Sequence, residues 1–166
     1  MIFKLRIAHW RFTFTLAPVI DVVGVNSILP DGKHIPMWDF DDIPLDRVIY
    51  QLCGLQEAGE LSNIYILQTG LKDHYIAYCF TSLDWRHCKM AVCAAYDVDE
   101  NFFKYGVYRD HFTLRVSAKE HGKPKLVAII RGAVPSNCSV RILQSWVKYE
   151  TLADNAPMRK REINIA

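Results

Sequence analysis

Residues 63–80, NIYILQTGLKDHYIAYCF, decide the fold class of the chain. The stretches NIYILQTG and HYIAYCF are both typical of β-strands, and only the short polar link LKD separates them. A link of this length joins antiparallel neighbours, whereas parallel strands need a crossover of about a dozen residues or more. The stretch therefore predicts two adjacent antiparallel strands.

A helix is predicted on each side of this pair. From Pro44 onward, apolar residues recur at the spacing of one helical face, with Pro44 suited to the first turn and Asp42 to a cap. This face comprises Leu45, Val48, Ile49, Leu52 and Leu55. Downstream, TSLDWRHCKMAVCAAY predicts a second helix, in which Thr81 and Asp84 resemble a capping box. Its apolar face comprises Trp85, Cys88, Val92 and Ala95.

Further strands are predicted outside these helices. Upstream, WRFTFTL alternates like a strand, and the turn LPDGKH separates it from IPMWDFDD. Downstream, AKEHGKPK separates the strand candidates HFTLRVS and LVAIIRG. The order from Trp38 is β-α-β-β-α-β-β, which is close to a split βαβ arrangement. The predicted fold is therefore α+β: an RRM-like split βαβ sheet with helices on one face, its other face open for a ligand, and an N-terminal β extension.

Length and composition indicate one domain. The chain has 166 residues, of which 51% are hydrophobic, and this is enough for a single core. We expect one domain over residues 1–166, with an N-terminal β region at 1–36 and a basic tail at 152–166. Because 20 basic residues nearly balance 18 acidic ones, any nucleic-acid site is expected to be a local patch.

The five cysteines indicate reduced thiols. Their number is odd and no CxxC pair occurs, which is typical of intracellular proteins, so we expect a cytoplasmic location. Zinc is not expected, because His87, Cys88 and Cys93 fall in a helical pattern as packed or surface side chains. The apolar stretch FTLAPVIDVVGV is too short and too interrupted to span a bilayer and lacks a signal-peptide cleavage site. No membrane partner is therefore expected.

The stretch MWDFDD, residues 37–42, carries three acids beside two aromatic residues. In a strand, Asp39 and Asp41 share one face, while Trp38 and Phe40 point to the other face, toward the helices. Two neighbouring carboxylates repel unless a cation neutralises them, and such hard oxygen ligands suit Mg²⁺ or Mn²⁺ carrying nucleotide phosphates. The pair indicates phosphoryl or nucleotidyl transfer. The alternative is that these acids, Asp42 in particular, cap the following helix.

The link between the two central strands supplies further candidates. Thr69 and Gly70 lie in this tight turn, where a glycine lets backbone amides approach a phosphate. His74 begins the next strand as a candidate phosphate or ribose contact, or as an ordinary surface residue.

The segment RDHFTLRVS supplies a basic candidate. Alternation sends Phe112, Leu114 and Val116 to one side and Arg115 to the other. Arg115 suits a bidentate phosphate contact or, alternatively, a surface ion pair. Four cations flank the segment and would form a basic surface for a nucleic-acid strand: Arg109, Lys119, Lys123 and Lys125.

Together these motifs resemble the catalytic core of the archaeo-eukaryotic primase superfamily, the primase-polymerase type of plasmids, phages and mobile elements. The resemblance runs from about Trp38 to Ser117. WDFDD matches the strand with two metal-binding acids, and TGLKDHYIAY matches the turn and strand bearing a nucleotide-contacting histidine.

The resemblance implies a template-dependent nucleotidyltransferase, a DNA primase or polymerase that serves replication of a mobile element. It implies that Asp39 and Asp41 hold Mg²⁺ or Mn²⁺ and that His74 contacts the triphosphate of the incoming nucleotide. Thr69 and Gly70 would shape the triphosphate pocket, and Arg115 would contact a phosphate or the template.

The third family motif, an Asp on an apolar strand, is replaced here by TLRVS. Asp97, Asp99 and Asp110 are the alternatives for this acid, and spacing does not select among them. The expected partners are a DNA template or primer, nucleoside triphosphates and a separate helicase or accessory replication protein.

Two other functions compete with this interpretation. One is a catalytically inactive primase fold that binds nucleic acid as an accessory protein, with Tyr75, Tyr78 and Phe112 as stacking platforms, although strand aromatics more often belong to the core. The other is a haloacid-dehalogenase-like phosphatase. In this chain DFDD is similar to the nucleophile motif of that class, and Thr69 is similar to its threonine motif. That chemistry requires a parallel, Rossmann-like sheet.

Overall fold

The structure is a computed structural model that describes residues 2–15, 19–118, 122–138 and 146–152. The chain divides into two compact units. One unit comprises Met1–Val22 and Lys148–Ala166, and the other comprises Val23–Val147. Lys119 and residues 153–166 of the predicted basic tail lie outside the described residues.

The described chain contains nine strands and three helices. The strands are β1 (Ile2–Ile7), β2 (Trp10–Thr15), β3 (Val19–Asn26), β4 (Met37–Phe40), β5 (Ile64–Gln68), β6 (Tyr75–Cys79), β7 (Thr113–Arg115), β8 (Lys125–Ile130) and β9 (Trp146–Leu152). The helices are α1 (Leu45–Ala58), α2 (Trp85–Cys93) and α3 (Glu100–Arg109).

The larger unit is built on a four-stranded sheet in the order β4-β6-β5-β8. Each neighbouring pair in it is antiparallel. Strands β4 and β5 therefore run in the same direction with β6 between them, and α1 connects them, which is a split βαβ unit. The predicted α+β class is confirmed, as is the antiparallel β5–β6 pair. Along the chain, the four strands of this sheet are β4, β5, β6 and β8. The last of them, β8, pairs with the second strand, β5, and not with the first strand, β4.

Much of the core lies on the face of this sheet that packs against α2. Trp38 and Phe40 are fully buried, and the indole Nε1 of Trp38 donates to the carbonyl oxygen of Ala91 in α2 at 3.3 Å. The prediction that these two aromatic residues face the helices is confirmed. The aromatic residues suggested as stacking platforms are also buried, so that role is wrong for Tyr75, Tyr78 and Phe112.

The helix starts differ from prediction. α1 begins after Pro44 without a side-chain cap, and Asp42, at a φ of 60°, contacts His74 instead, so the predicted cap is wrong. At α2 the capping residue is Asp84, which accepts from the backbone N–H of His87 at 2.9 Å. Thr81 instead accepts from the N–H of Ser62, so the predicted capping box is also wrong.

Two smaller sheets complete the described structure. Strand β3 lies between β7 and β9 in a three-stranded sheet, and its antiparallel register with β7 pairs Gly24 with Arg115. In the smaller unit, β1 and β2 form an antiparallel hairpin. Of the helices that the structure describes, none has both the length and the apolar character that crossing a membrane requires.

Candidate active site

A cavity of about 230 Å³ opens beside β4, and Asp39 forms part of its wall. The opposite wall comes from α3 and from the segment that leads into β7. Its polar lining residues are Asp39, Asp99, Tyr105, Arg109, His111 and Thr113. The cavity lining thus includes two acidic residues, an arginine and a histidine.

Helix α3 is held against β4 at its first residues. The backbone N–H of Asp99 donates to the carbonyl oxygen of Asp39 at 2.8 Å. The Asp99 carboxylate then caps α3 by accepting from the N–H of Phe102 at 2.6 Å. Further along α3, Gly106 leaves room for the buried ring of Phe112, which a Cβ at this position would strike. These contacts fix α3 as a wall of the cavity.

The structure distinguishes the three alternatives for the third acid. Asp97 accepts two hydrogen bonds from Arg47, at 2.6 and 2.7 Å, and one from Gln51. Asp110 is the residue that ends α3, in the left-handed conformation. Asp99 is the one of the three that lines the cavity together with Asp39.

A second group of candidate residues surrounds His74. Its Nδ1 lies 2.7 Å from Oδ1 of Asp41, and its Nε2 lies 3.2 Å from Oδ1 of Asp42. Because an ionised carboxylate only accepts hydrogen bonds, the imidazole Nδ1–H donates to Asp41. The structure thus brings His74 into contact with Asp41 and Asp42, a contact that was not predicted from the sequence.

Two turns bring these residues together. The N–H of Ile43, after β4, donates to the carbonyl oxygen of Asp73 at 2.9 Å. The N–H of Thr69 donates to the carbonyl oxygen of His74 at 3.1 Å and closes the β5–β6 turn. Gly70 has a φ of 99°, a conformation that side-chain-bearing residues rarely adopt. Thr69 and Gly70 thus shape the turn that presents His74.

The strand register gives the face on which Asp39 lies. Asp39 is opposite Ile76, and directly opposed residues in an antiparallel pair share a face. Trp38 and Phe40 alternate with Asp39 along β4, so Asp39 lies on the face that is turned away from these two rings. His74 comes just before β6, at the end of the sheet where Asp41 follows β4.

The structure places the predicted cations on several elements. Arg115 is in β7, where its Nε donates to Oγ of Ser117 at 3.2 Å and its Nη2 to the carbonyl oxygen of Ala118 at 2.7 Å. Arg109 lines the cavity, with its guanidinium 5.5 Å from the ring centre of Tyr105. Lys123 and Lys125 are exposed at the β8 edge of the four-stranded sheet. The basic residues near the acids are thus separate from those at β8.

The described acidic residues do not make a complete metal site by themselves. Within the described ranges, no three His, Cys, Asp or Glu side chains form a group that could hold a metal by themselves. Mg²⁺ usually keeps several waters and takes one or two protein carboxylates together with substrate phosphates. Asp39 and Asp99 in the cavity, with Asp41 nearby in sequence, are compatible with that kind of site.

Sequence reasoning did not assign a role to Tyr105, His111 or Thr113, because it missed α3 altogether. The available signal was Asp99, an N-cap residue followed by an acid and two phenylalanines. A helix starting there puts Tyr105 and Arg109 one turn apart on the same face.

No protein-family model, curated protein or solved structure shows significant similarity to the chain. The assignment of a function therefore depends on the chemistry of the residues themselves.

Proposed function

We propose that the chain is a template-dependent nucleotidyltransferase of the primase-polymerase type, which joins nucleotides with the help of Mg²⁺ or Mn²⁺. The observation that carries this proposal is the cavity in which Asp39 and Asp99 share walls with Arg109. Carboxylates that bind a cation and a guanidinium that binds phosphate are the two requirements of a metal–nucleotide site.

Each residue has a defined task in this proposal. Asp39 and Asp41 hold the divalent ions, and Asp99 supplies the third carboxylate. The metal, when bound, lowers the pKa of the attacking hydroxyl and neutralises charge on the triphosphate. Asp41 can accept from His74 and still bind a cation, because a carboxylate has about four lone-pair sites.

The remaining residues bind and orient the nucleotide. Arg109 offers a planar set of donors to the phosphates at the cavity wall. His74 contacts the triphosphate through Nε2, which exchanges its 3.2 Å contact with Asp42 for the phosphate. The Thr69 amide is bonded to the His74 carbonyl oxygen, so the turn contributes the amide of Gly70. Arg115, whose guanidinium is held by Ser117 and Ala118, is a more distant phosphate or template contact.

The proposed partners follow from this chemistry. They are a DNA template or primer, nucleoside triphosphates and a separate helicase or accessory replication protein. A cytoplasmic location and a part in the replication of a mobile element belong to the same proposal.

A nucleic-acid-binding accessory protein without catalysis is the second candidate. It is favoured by the use of the Asp99 carboxylate as a helix cap, a structural task that needs no metal. The antiparallel pairing of the described β4-β6-β5-β8 sheet argues against the phosphatase alternative, because that chemistry requires a parallel sheet.

Extension of a primed single-stranded template, and synthesis on an unprimed one, with Mn²⁺ and labelled nucleotides would test the proposal. Asp39→Asn and Asp41→Asn should each lower product formation by about 100-fold or more, because they remove a metal-binding charge. Asp99→Asn should also lower it while leaving stability intact, since Asn caps helices as well as Asp does. Asp46→Asn, an exposed acid in α1, is the matched control and should have little effect.

Full activity in Asp39→Asn would overturn the proposal. Absence of product from folded wild-type protein, combined with binding of the template, would establish the accessory protein instead.

A further inference from the structure

A single row of residues crosses the four-stranded sheet from the candidate active site to the opposite edge. Asp39 is opposite Ile76, Ile76 is opposite Leu67, and Leu67 is opposite Leu126. Directly opposed residues of antiparallel strands share a face, so these four side chains follow one another on the face turned away from Trp38 and Phe40. A neighbouring row on that face contains Tyr78, Tyr65 and Ile129.

Both rows become more exposed from β6 to β8. Ile76 is 3% exposed, Leu67 is half-buried and Leu126 is 54% exposed. In the neighbouring row, Tyr78 is 7% exposed and Ile129 is 41% exposed. The sheet face is thus covered next to β4 and open over β5 and β8, where it offers apolar and aromatic side chains to a ligand.

Charge is distributed unevenly between the two edges. The acids Asp39, Asp41 and Asp42 lie at the β4 edge, whereas strands β5 and β8 contain no acidic residue. Three exposed cations lie in or next to β8, at Lys123, Lys125 and Arg131. The open face is therefore apolar, and the sheet edge beside it is positively charged. By the register, Lys125 belongs to the other face, because its partner Gln68 is opposite Tyr75 and Tyr75 is opposite Phe40, so its long side chain would have to reach phosphates around the β8 edge.

This combination fits a polyanion better than an added protein strand. A lysine on an edge strand and a proline next to it both oppose strand pairing, and Lys125 with Pro124 provide them. Single-stranded nucleic acid has flat base surfaces for the apolar side chains and phosphates for the cations.

We propose that the exposed face of β5 and β8 binds single-stranded nucleic acid. Bases lie on Tyr65, Leu126 and Ile129, and phosphates contact Lys123, Lys125 and Arg131. The distance from β8 to β4 is three strand spacings, about 14 Å, so only a few nucleotides separate this surface from Asp39. The direction of the strand toward Asp39 rests on the proposed function, whereas binding itself does not.

Opposite charges at Leu126 provide the sharpest test. Fluorescence anisotropy of a labelled oligothymidylate, in EDTA and without nucleotide, measures binding independently of catalysis. Leu126→Glu should weaken binding about tenfold, and Leu126→Lys should strengthen it, because both introduce charge at an exposed position next to the phosphates. Tyr50→Glu and Tyr50→Lys, on the exposed surface of α1, are the matched controls and should change affinity less than about twofold.

Salt dependence tests the cations separately. For single strands, the slope of log affinity against log salt is about 0.7 per phosphate contact. Lys123→Ser with Lys125→Ser should therefore reduce the slope by about 1.4. Lys33→Ser with Arg86→Ser removes two exposed cations from other elements and should leave the slope close to that of the wild type.

Two results would overturn this inference. One is failure of the wild-type protein to bind the oligothymidylate. The other is that both Leu126 substitutions change affinity in the same direction while altering the oligomeric state, which would mark the surface as an interface between copies. If Asp39→Asn abolishes synthesis but leaves oligothymidylate binding intact, binding at this surface does not depend on the catalytic role that is proposed for Asp39.

Discussion

His74 and Asp41 lie in two different turns, and a contact of 2.7 Å between Nδ1 and Oδ1 joins them. The turn after β4 contributes the acid and the β5–β6 turn contributes the imidazole. The backbone bond from Ile43 to Asp73 connects the same two turns. The acidic stretch after β4 thus sets the position of the His74 imidazole.

Removing the imidazole should affect nucleotide use more than stability. In His74→Ala we expect the KM for nucleotide to rise about 10-fold or more, because the substitution removes the proposed charge-assisted contact to the triphosphate. The thermal midpoint should change little, since the backbone bond between the turns remains. Asp42→Asn is the control: Asp42 is highly exposed, its contact to His74 is longer, and Asn tolerates its left-handed backbone. Equal effects of both substitutions on KM would contradict this role for His74.

The packing of Gly106 against Phe112 leads to a prediction about stability. In Gly106→Ala the new methyl group meets the buried Phe112 ring, so the free energy of unfolding should fall by about 1–3 kcal/mol. Gly54→Ala, in the middle of α1 with open space around it, should raise it by up to about 1 kcal/mol. Urea denaturation measures both variants. A stabilised Gly106→Ala would show that α3 is not packed against Phe112 in solution.

The fold of the larger unit could be predicted where neighbours in sequence are also neighbours in space. The link LKD is too short for anything but an antiparallel pair, and α1 repeats its apolar residues regularly. Pairing between β3 and β7 could not be predicted, because Gly24 and Arg115 are far apart in the chain and local patterns carry no information on such partners.

The candidate site was predictable by residue type and not by arrangement. Asp39, Asp41 and His74 could be identified because carboxylates and an imidazole in or beside strands indicate a functional role for their charge. The choice of Asp99 over Asp97 depends on α3, whose apolar residues are interrupted by Gly106 and mixed with Lys104 and Tyr105. Such a segment has a weak helical period, and its position beside β4 follows from tertiary contacts.

Thiol reactivity should differ sharply among the cysteines. Burial raises the pKa of Cys88 to about 12 and that of Cys138 to about 11, whereas Cys93 is exposed. Because the thiolate is the reactive form, we expect Cys93 to react first with a disulfide reagent in the native protein and Cys88 only after unfolding. Mass spectrometry of labelled peptides identifies each site, and Cys93→Ser should abolish the fast phase. Labelling of Cys88 in the folded protein would contradict its burial.

The environment of His34 leads to a prediction about pH. His34 is buried against Trp85, and its Nδ1 lies 3.0 Å from Oγ of Ser27. Burial, and then the nearby His111, lower the pKa of His34 below its ordinary value of 6.5, while Asp110 opposes this effect. Below pH 6.5, His34 is protonated in the unfolded chain but stays neutral in the folded chain. The free energy of unfolding therefore decreases as the pH falls from 6.5 to the pKa of His34 in the folded protein. The urea midpoint of the wild type should decrease between about pH 7.5 and about pH 5.5. His34→Gln, which cannot be protonated, should show a smaller decrease, and an identical decrease in both proteins would assign the effect to other groups.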